Sequence, residues 1–158
     1  MGKYVIETPA AFVEQFKMAT FDVELYEMPH RSATRILTPG SKYVVEVSVE
    51  LGAKLKCLLC GEWCVSIAAE SIGPGPEGVV QRVFPMDNVD SRADVIRIEL
   101  PYKWFNEAQK NEDCRECGTV FDLVCTVIAQ DKCHKPIGLA GFARLGQVLI
   151  PSSEAVAG

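Results

Sequence analysis

Seven cysteines stand in a chain of 158 residues, and four of them form two C-x-x-C-G motifs. The first motif contains Cys57 and Cys60, and the second contains Cys114 and Cys117. Two intervening residues allow a tight turn to aim both sulfur atoms at one point, and four thiolates are a common ligand set for structural zinc. The motifs therefore predict a zinc site formed by these four cysteines.

Two features weigh against that zinc site. The second motif lies much farther along the chain than paired zinc motifs usually do. If residues 55–60 form a continuous strand, Cys57 and Cys60 point to opposite faces, because side chains alternate along a strand. The alternative interpretation is thiols without a metal, with Cys57 and Cys125 as small buried core residues.

Cys64 and Cys133 suggest a different chemistry, that of a reactive thiol. A nucleophilic cysteine needs a base within hydrogen-bond distance. His134 directly follows Cys133, but adjacent side chains rarely face each other, so this pair favours an ordinary polar turn. Cys64 is expected on the strand face opposite Trp63. An enzyme that uses Cys133 or Cys64 is therefore one hypothesis, and an inert role is the other.

The segments that position these cysteines show apolar residues at every second position, the period of a half-buried strand. The pattern predicts strands from Phe21 onward and at 43–51, 55–59, 63–69, 79–84, 96–100 and 121–129. The last stretch, 137–150, contains three glycines that predict bulges or a bend. With about eight strands and no alternating helices, the sequence predicts an all-β antiparallel β-sandwich.

Three regions follow from this pattern. Residues 1–20 are predicted to form an N-terminal segment with a short helix, in which Thr8 caps the helix and Pro9 takes its first position. Residues 21–150 are predicted to form the β-sandwich domain. Residues 151–158 are small and polar and predict a flexible tail.

The net charge of -5 and the absence of a basic stripe argue against a nucleic-acid partner. No signal peptide and no apolar run long enough to cross a membrane is recognisable. We therefore expect a soluble cytoplasmic protein, whose cysteines stay reduced or bind metal.

Apolar residues outside the expected core indicate contact surfaces. The aromatic cluster of Tyr102, Trp104 and Phe105 predicts a ligand or subunit contact if it is exposed. Val44, Val124 and Ile128 lie on otherwise polar strand faces, which suggests a second buried surface and a homo-oligomer. The sequence thus favours a non-enzymatic β-sandwich that acts in binding or assembly. The alternatives are a zinc-stabilised domain and a cysteine-dependent enzyme.

Overall fold

The computed structural model describes residues 4–6, 20–28, 32–33, 35–37, 41–51, 59–72, 77–86, 94–100 and 119–150. These residues form an all-β structure of seven longer strands and two strands of two residues each. The strands are β1 (Tyr4–Val5), β2 (Thr20–Met28), β3 (Ser32–Ala33), β4 (Lys42–Glu50), β5 (Glu62–Ser71), β6 (Gly78–Pro85), β7 (Asp94–Glu99), β8 (Thr119–Gln130) and β9 (Pro136–Ile150).

The strands form two antiparallel sheets. Sheet 1 has the order β1-β2-β4-β7, and β3 also pairs with β2. Sheet 2 has the order β6-β5-β8-β9. The predicted strand at 121–129 is part of β8, which lies between β5 and β9.

Side chains from both sheets form one hydrophobic core, which fits a sandwich-like arrangement. The alternation in β4 is regular, and Val45, Val47 and Val49 are completely buried. Trp63 of β5 lies in the same core, and its indole nitrogen hydrogen-bonds Asp94 of β7 at 2.7 Å. Each sheet therefore buries the face that the two-residue period predicted.

Main-chain hydrogen bonds join the segment after β3 of sheet 1 to β9, the edge strand of sheet 2. The segment 35–37, which follows β3, runs parallel to the end of β9 at Leu149. Leu37 donates to the Leu149 carbonyl, and Leu149 donates to the Arg35 carbonyl, each at 2.8 Å. Arg35 also donates a side-chain hydrogen bond to the Leu145 carbonyl. This edge of sheet 2 is thereby covered by backbone that continues from sheet 1.

The predicted irregularities of the last stretch are confirmed as bulges within a single strand. The pairing of β8 with β9 shifts register between Leu123 and Val124 and again between Ile128 and Gln130. Gly146 and Gly138 lie near these shifts with φ of 89° and 86°. Such positive φ angles are available to glycine at little steric cost.

Two sequence predictions concern the ends of the chain. The short helix expected within residues 1–20, with Thr8 and Pro9 at its start, lies outside the described residues, and Thr20 belongs to β2 rather than to that segment. The tail at 151–158 also lies outside them. Within the described part, Tyr4 and Val5 pair with Phe21 and Thr20, so the N-terminal segment contributes a short strand to sheet 1.

Candidate functional site

Of the four predicted zinc ligands, Cys60 is described, and Cys57, Cys114 and Cys117 lie outside the described residues. Cys60 is exposed and directly precedes Gly61 and the start of β5. Within the described ranges no cluster of three or more histidine, cysteine, aspartate or glutamate side chains is placed to hold a metal ion. The predicted zinc site therefore stays a prediction.

The backbone around Cys60 differs from the predicted strand. Leu59 has a helical conformation, and Cys60 has a φ of 46°, in the left-handed region. The predicted strand at 55–59 is therefore wrong at Leu59, residues 55–58 lie outside the described residues, and no strand continues through Cys60. The chain turns at Cys60 because the next residue, Gly61, must pass very close to β8. A Cβ atom at Gly61 would lie 2.5 Å from the Gln130 carbonyl oxygen.

Cys133 and His134 lie in the turn between β8 and β9, as the sequence predicted. The Asp131 carboxylate accepts hydrogen bonds from the Cys133 and Lys135 amides at 2.8 and 3.0 Å. Asp131 also donates its own amide to the Lys135 carbonyl, and His134 has a φ of 64°. This network of an aspartate with nearby backbone groups is typical of a structural turn.

The His134 ring joins this turn to the beginning of β5. Its Nδ1 atom lies 3.1 Å from both Glu62 Oε2 and Gln130 Nε2. Gln130 is buried, and its Nε2 donates to Glu62 Oε2 at 3.1 Å. The ring nitrogen is therefore engaged with β5 and β8, and the observed contacts of His134 hold the turn in place.

The remaining two described cysteines are buried in different environments. Cys125 points into the core, and this burial raises the pKa of its thiol to about 12. Cys64 lies on the opposite face from Trp63, as predicted, and Gln81 Nε2 approaches its sulfur at 2.7 Å. An amide N–H is a donor, so this neighbour cannot act as the base that a nucleophilic thiol requires.

The outer face of sheet 2, which points away from the core, is largely apolar. Strand registers arrange it in three rows across β6, β5, β8 and β9. The rows are Val83, Cys64, Ile128 and Ala140; Gln81, Ser66, Thr126 and Phe142; and Val79, Ala68, Val124 and Arg144. Val79 and Phe142 are about two-thirds exposed, at 66% and 65%, and Val83 is 44% exposed. Arg144 is turned toward the carboxylate of Asp122, with which it forms an ion pair.

The outer face of sheet 1 is charged, although its strands have the same alternation. Glu24 of β2, Glu46 of β4 and Arg97 of β7 lie in one row. Arg97 Nε is 2.8 Å from Glu46 Oε2, and this contact raises the pKa of the guanidinium further. Tyr26 donates its hydroxyl to the same Glu46 oxygen at 3.2 Å. The outer face of sheet 1 thus carries more charge than that of sheet 2, although Met28 and Val95 are also exposed on it, at 41% and 49%.

The sequence predicted part of the apolar outer face of sheet 2. The sequence predicts Val124 and Ile128 on the second face of this strand, and both lie in the β8 column of the apolar rows. Val44, which was noted with them, lies on the charged face of sheet 1 instead. The aromatic candidates Tyr102, Trp104 and Phe105 lie outside the described residues. Phe142 was missed because the glycines around it obscure the two-residue period.

Comparison with known proteins yields little. No family model and no curated protein matches the chain. Among solved structures, the solution structure of "a putative late embryogenesis abundant (LEA) protein" is similar over 90% of this chain and 79% of that one, with 14% sequence identity and a TM-score of 0.41. That similarity does not bear on what the present chain binds. In the described residues no helix is long and apolar enough to cross a membrane.

Proposed function

We propose that this protein acts in assembly and associates with another protein surface through the outer face of sheet 2. The observation that carries the proposal is the contrast between the two outer faces. Sheet 1 presents paired charges, whereas sheet 2 presents Val79, Val83 and Phe142 beside small and branched side chains.

An exposed apolar face of this kind has a free-energy cost in water. Burial of apolar surface contributes roughly 25 cal/mol per Å². Single exposed apolar residues are ordinary, but contiguous patches on a folded domain commonly mark an interaction site. Val83 lies beside Cys64, Cys64 beside Ile128, and Ile128 beside Ala140, so an apolar row runs across all four strands, with Cys64 buried within it.

The shape of the surface favours a protein partner over a small molecule. Small ligands bind in concave pockets that cover most of their area. The outer face of a four-stranded sheet is broad, and its half-buried centre at Ser66, Thr126 and Ala68 lies between exposed side chains of β6 and β9. Sheet faces of this type associate with each other in β-sandwiches.

The test compares matched substitutions on the two faces. Val83 on sheet 2 and Val95 on sheet 1 are outward-facing valines in outer strands, 44% and 49% exposed. We expect Val83→Lys to abolish association, because it places a charge in the interface, and Val95→Lys to leave it intact. The measurement is the molar mass by light scattering over a range of concentrations, with circular dichroism as the check on folding. Equal behaviour of the two variants would contradict the proposal.

A zinc-stabilised domain is the second candidate, and the conformation of Cys60 favours it. The objection from side-chain alternation requires a strand through Cys60, whereas Cys60 lies in an exposed turn before Gly61. We propose Cys57, Cys60, Cys114 and Cys117 as the ligands. Elemental analysis of protein purified without added metal tests this, with about one zinc per chain expected and less than about 0.1 as the contradicting result.

A further inference from the structure

The outer face of sheet 2 has a relief that suits a second copy of itself. The column from β5 consists of the small side chains Cys64, Ser66 and Ala68. The neighbouring column from β8 consists of the branched side chains Val124, Thr126 and Ile128. A trough therefore lies beside a ridge at Ser66 and Ala68, whereas at Cys64 the side-chain amide of Gln81 lies over the sulfur at 2.7 Å. Such a surface is complementary to its own copy when each ridge enters the opposite trough, as a two-fold interface requires.

We propose that two copies of this chain pack face to face, related by a two-fold axis that runs roughly along the strands between β5 and β8. This inference rests on the proposed function and names its partner. The axis places β8 of the second copy over β5 of the first. Val124 of one copy then lies over Ala68 of the other, and Thr126 lies over Ser66. The same operation places β9 of one copy over β6 of the other, so that Phe142 of one copy lies over Gln81 of the other.

The relief also excludes the other simple arrangement, a two-fold axis that runs across the strands. That axis would place β5 over β5 and β8 over β8. Small side chains would then face small ones and leave a gap, while Val124 and Ile128 would face branched side chains and prevent close approach. Gaps and overlaps of this kind each reduce stability. The axis along the strands avoids both.

The size of the face indicates how tight such a dimer can be. Four strands about 4.8 Å apart and three rows roughly 7 Å apart give a footprint of roughly 400 Å². Two copies would then bury roughly 800 Å² in total, below the roughly 1,200–2,000 Å² of standard specific interfaces and in the range of weak, transient ones. A face of this size therefore suits a weak dimer of two identical chains that dissociates on dilution.

Photo-crosslinking from Phe142 tests the arrangement in the 158-residue chain. The substitution Phe142→benzoylphenylalanine keeps an aromatic side chain at an exposed position, so folding should be retained. We expect irradiation to give a covalent dimer, whose cross-link maps by mass spectrometry to residues 79–83 of the second copy. The same probe at Val95, on the charged face of sheet 1, should give no covalent dimer.

The outcomes separate the inference from the proposed function on which it rests. A dimer cross-linked from Phe142 to 140–144 of the second copy, or to any segment outside β6, would overturn the arrangement and leave assembly intact. A protein that stays monomeric at all concentrations would overturn both. A cross-link within one chain would show that a segment of the same chain covers the face, and it would also overturn both.

Discussion

Trp63 Nε1 of β5 donates a hydrogen bond of 2.7 Å to Asp94 Oδ2 of β7, and this contact joins the two sheets through the core. Trp63 is among the largest buried side chains, with 1% of its surface exposed. Its N–H group has therefore lost contact with water and depends on the aspartate. The bond fixes how the edge strand of sheet 1 lies over sheet 2.

We expect Asp94→Ala to lower the free energy of unfolding by about 1–3 kcal/mol, the usual cost of leaving a buried donor without its partner. Asp94→Asn should cost less, since its amide oxygen can still accept the indole N–H. Urea unfolding followed by circular dichroism measures both. A loss below about 0.5 kcal/mol for Asp94→Ala would show that Trp63 does not depend on this bond.

Gly61 is expected to tolerate replacement by alanine less well than Gly146 does. In Gly61→Ala the new Cβ would meet the Gln130 carbonyl at 2.5 Å, so backbone must move, at a cost of about 1–3 kcal/mol. Gly146→Ala is the matched control, because the nearest atom there is 3.7 Å away and the cost of about 1–2 kcal/mol arises from its positive φ. Chemical denaturation should rank Gly61→Ala as the more destabilised variant, and the opposite ranking would contradict the close approach.

Burial of Cys125 should make the free energy of unfolding depend on pH in the alkaline range. The native thiol has a pKa of about 12, against an ordinary value of 9.0, so the native state holds its proton more tightly than the unfolded state does. This contribution is complete below about pH 9 and is lost as the pH rises toward 12. Under reducing conditions, the difference in unfolding free energy between the wild type and Cys125→Ala should therefore shrink above pH 9. A difference that is constant up to pH 10.5 would contradict the burial of this thiol.

Association should strengthen with salt. Each chain has a net charge of -5, and the proposed arrangement brings the row of Glu70 and Asp122 near the same row of the second copy. Screening reduces this repulsion but does not weaken apolar contacts. We expect a lower dissociation constant at about 0.5 M sodium chloride than at about 0.05 M, where the Debye length is more than 10 Å. A dimer that dissociates as salt rises would indicate an interface held by ion pairs.

The sequence predicted the strands well because one side of each is buried. Val45, Val47 and Val49 alternate with polar residues, and only an extended strand places all three in the core. The pattern failed at Leu59 and Cys60. At these two residues the alternation of apolar residues continues in the sequence, but the chain turns before Gly61, which passes very close to β8.

The candidate site was less predictable because it is formed by pairing across the chain. Alternation placed Val124 and Ile128 on a second face, but it could not show that β6 and β9 complete that face. Phe142 and Val79 come together with them only through the strand order of sheet 2. The contact between Glu62 and His134 likewise joins residues far apart in sequence, and no local pattern predicts it.

Sedimentation equilibrium of the unmodified chain tests the central claim most directly. The account predicts a mass near 17.3 kDa at the lowest concentrations, rising toward twice that value as the concentration increases through the micromolar range. A mass that stays at 17.3 kDa at every concentration, in low and in high salt, would contradict assembly through the outer face of sheet 2.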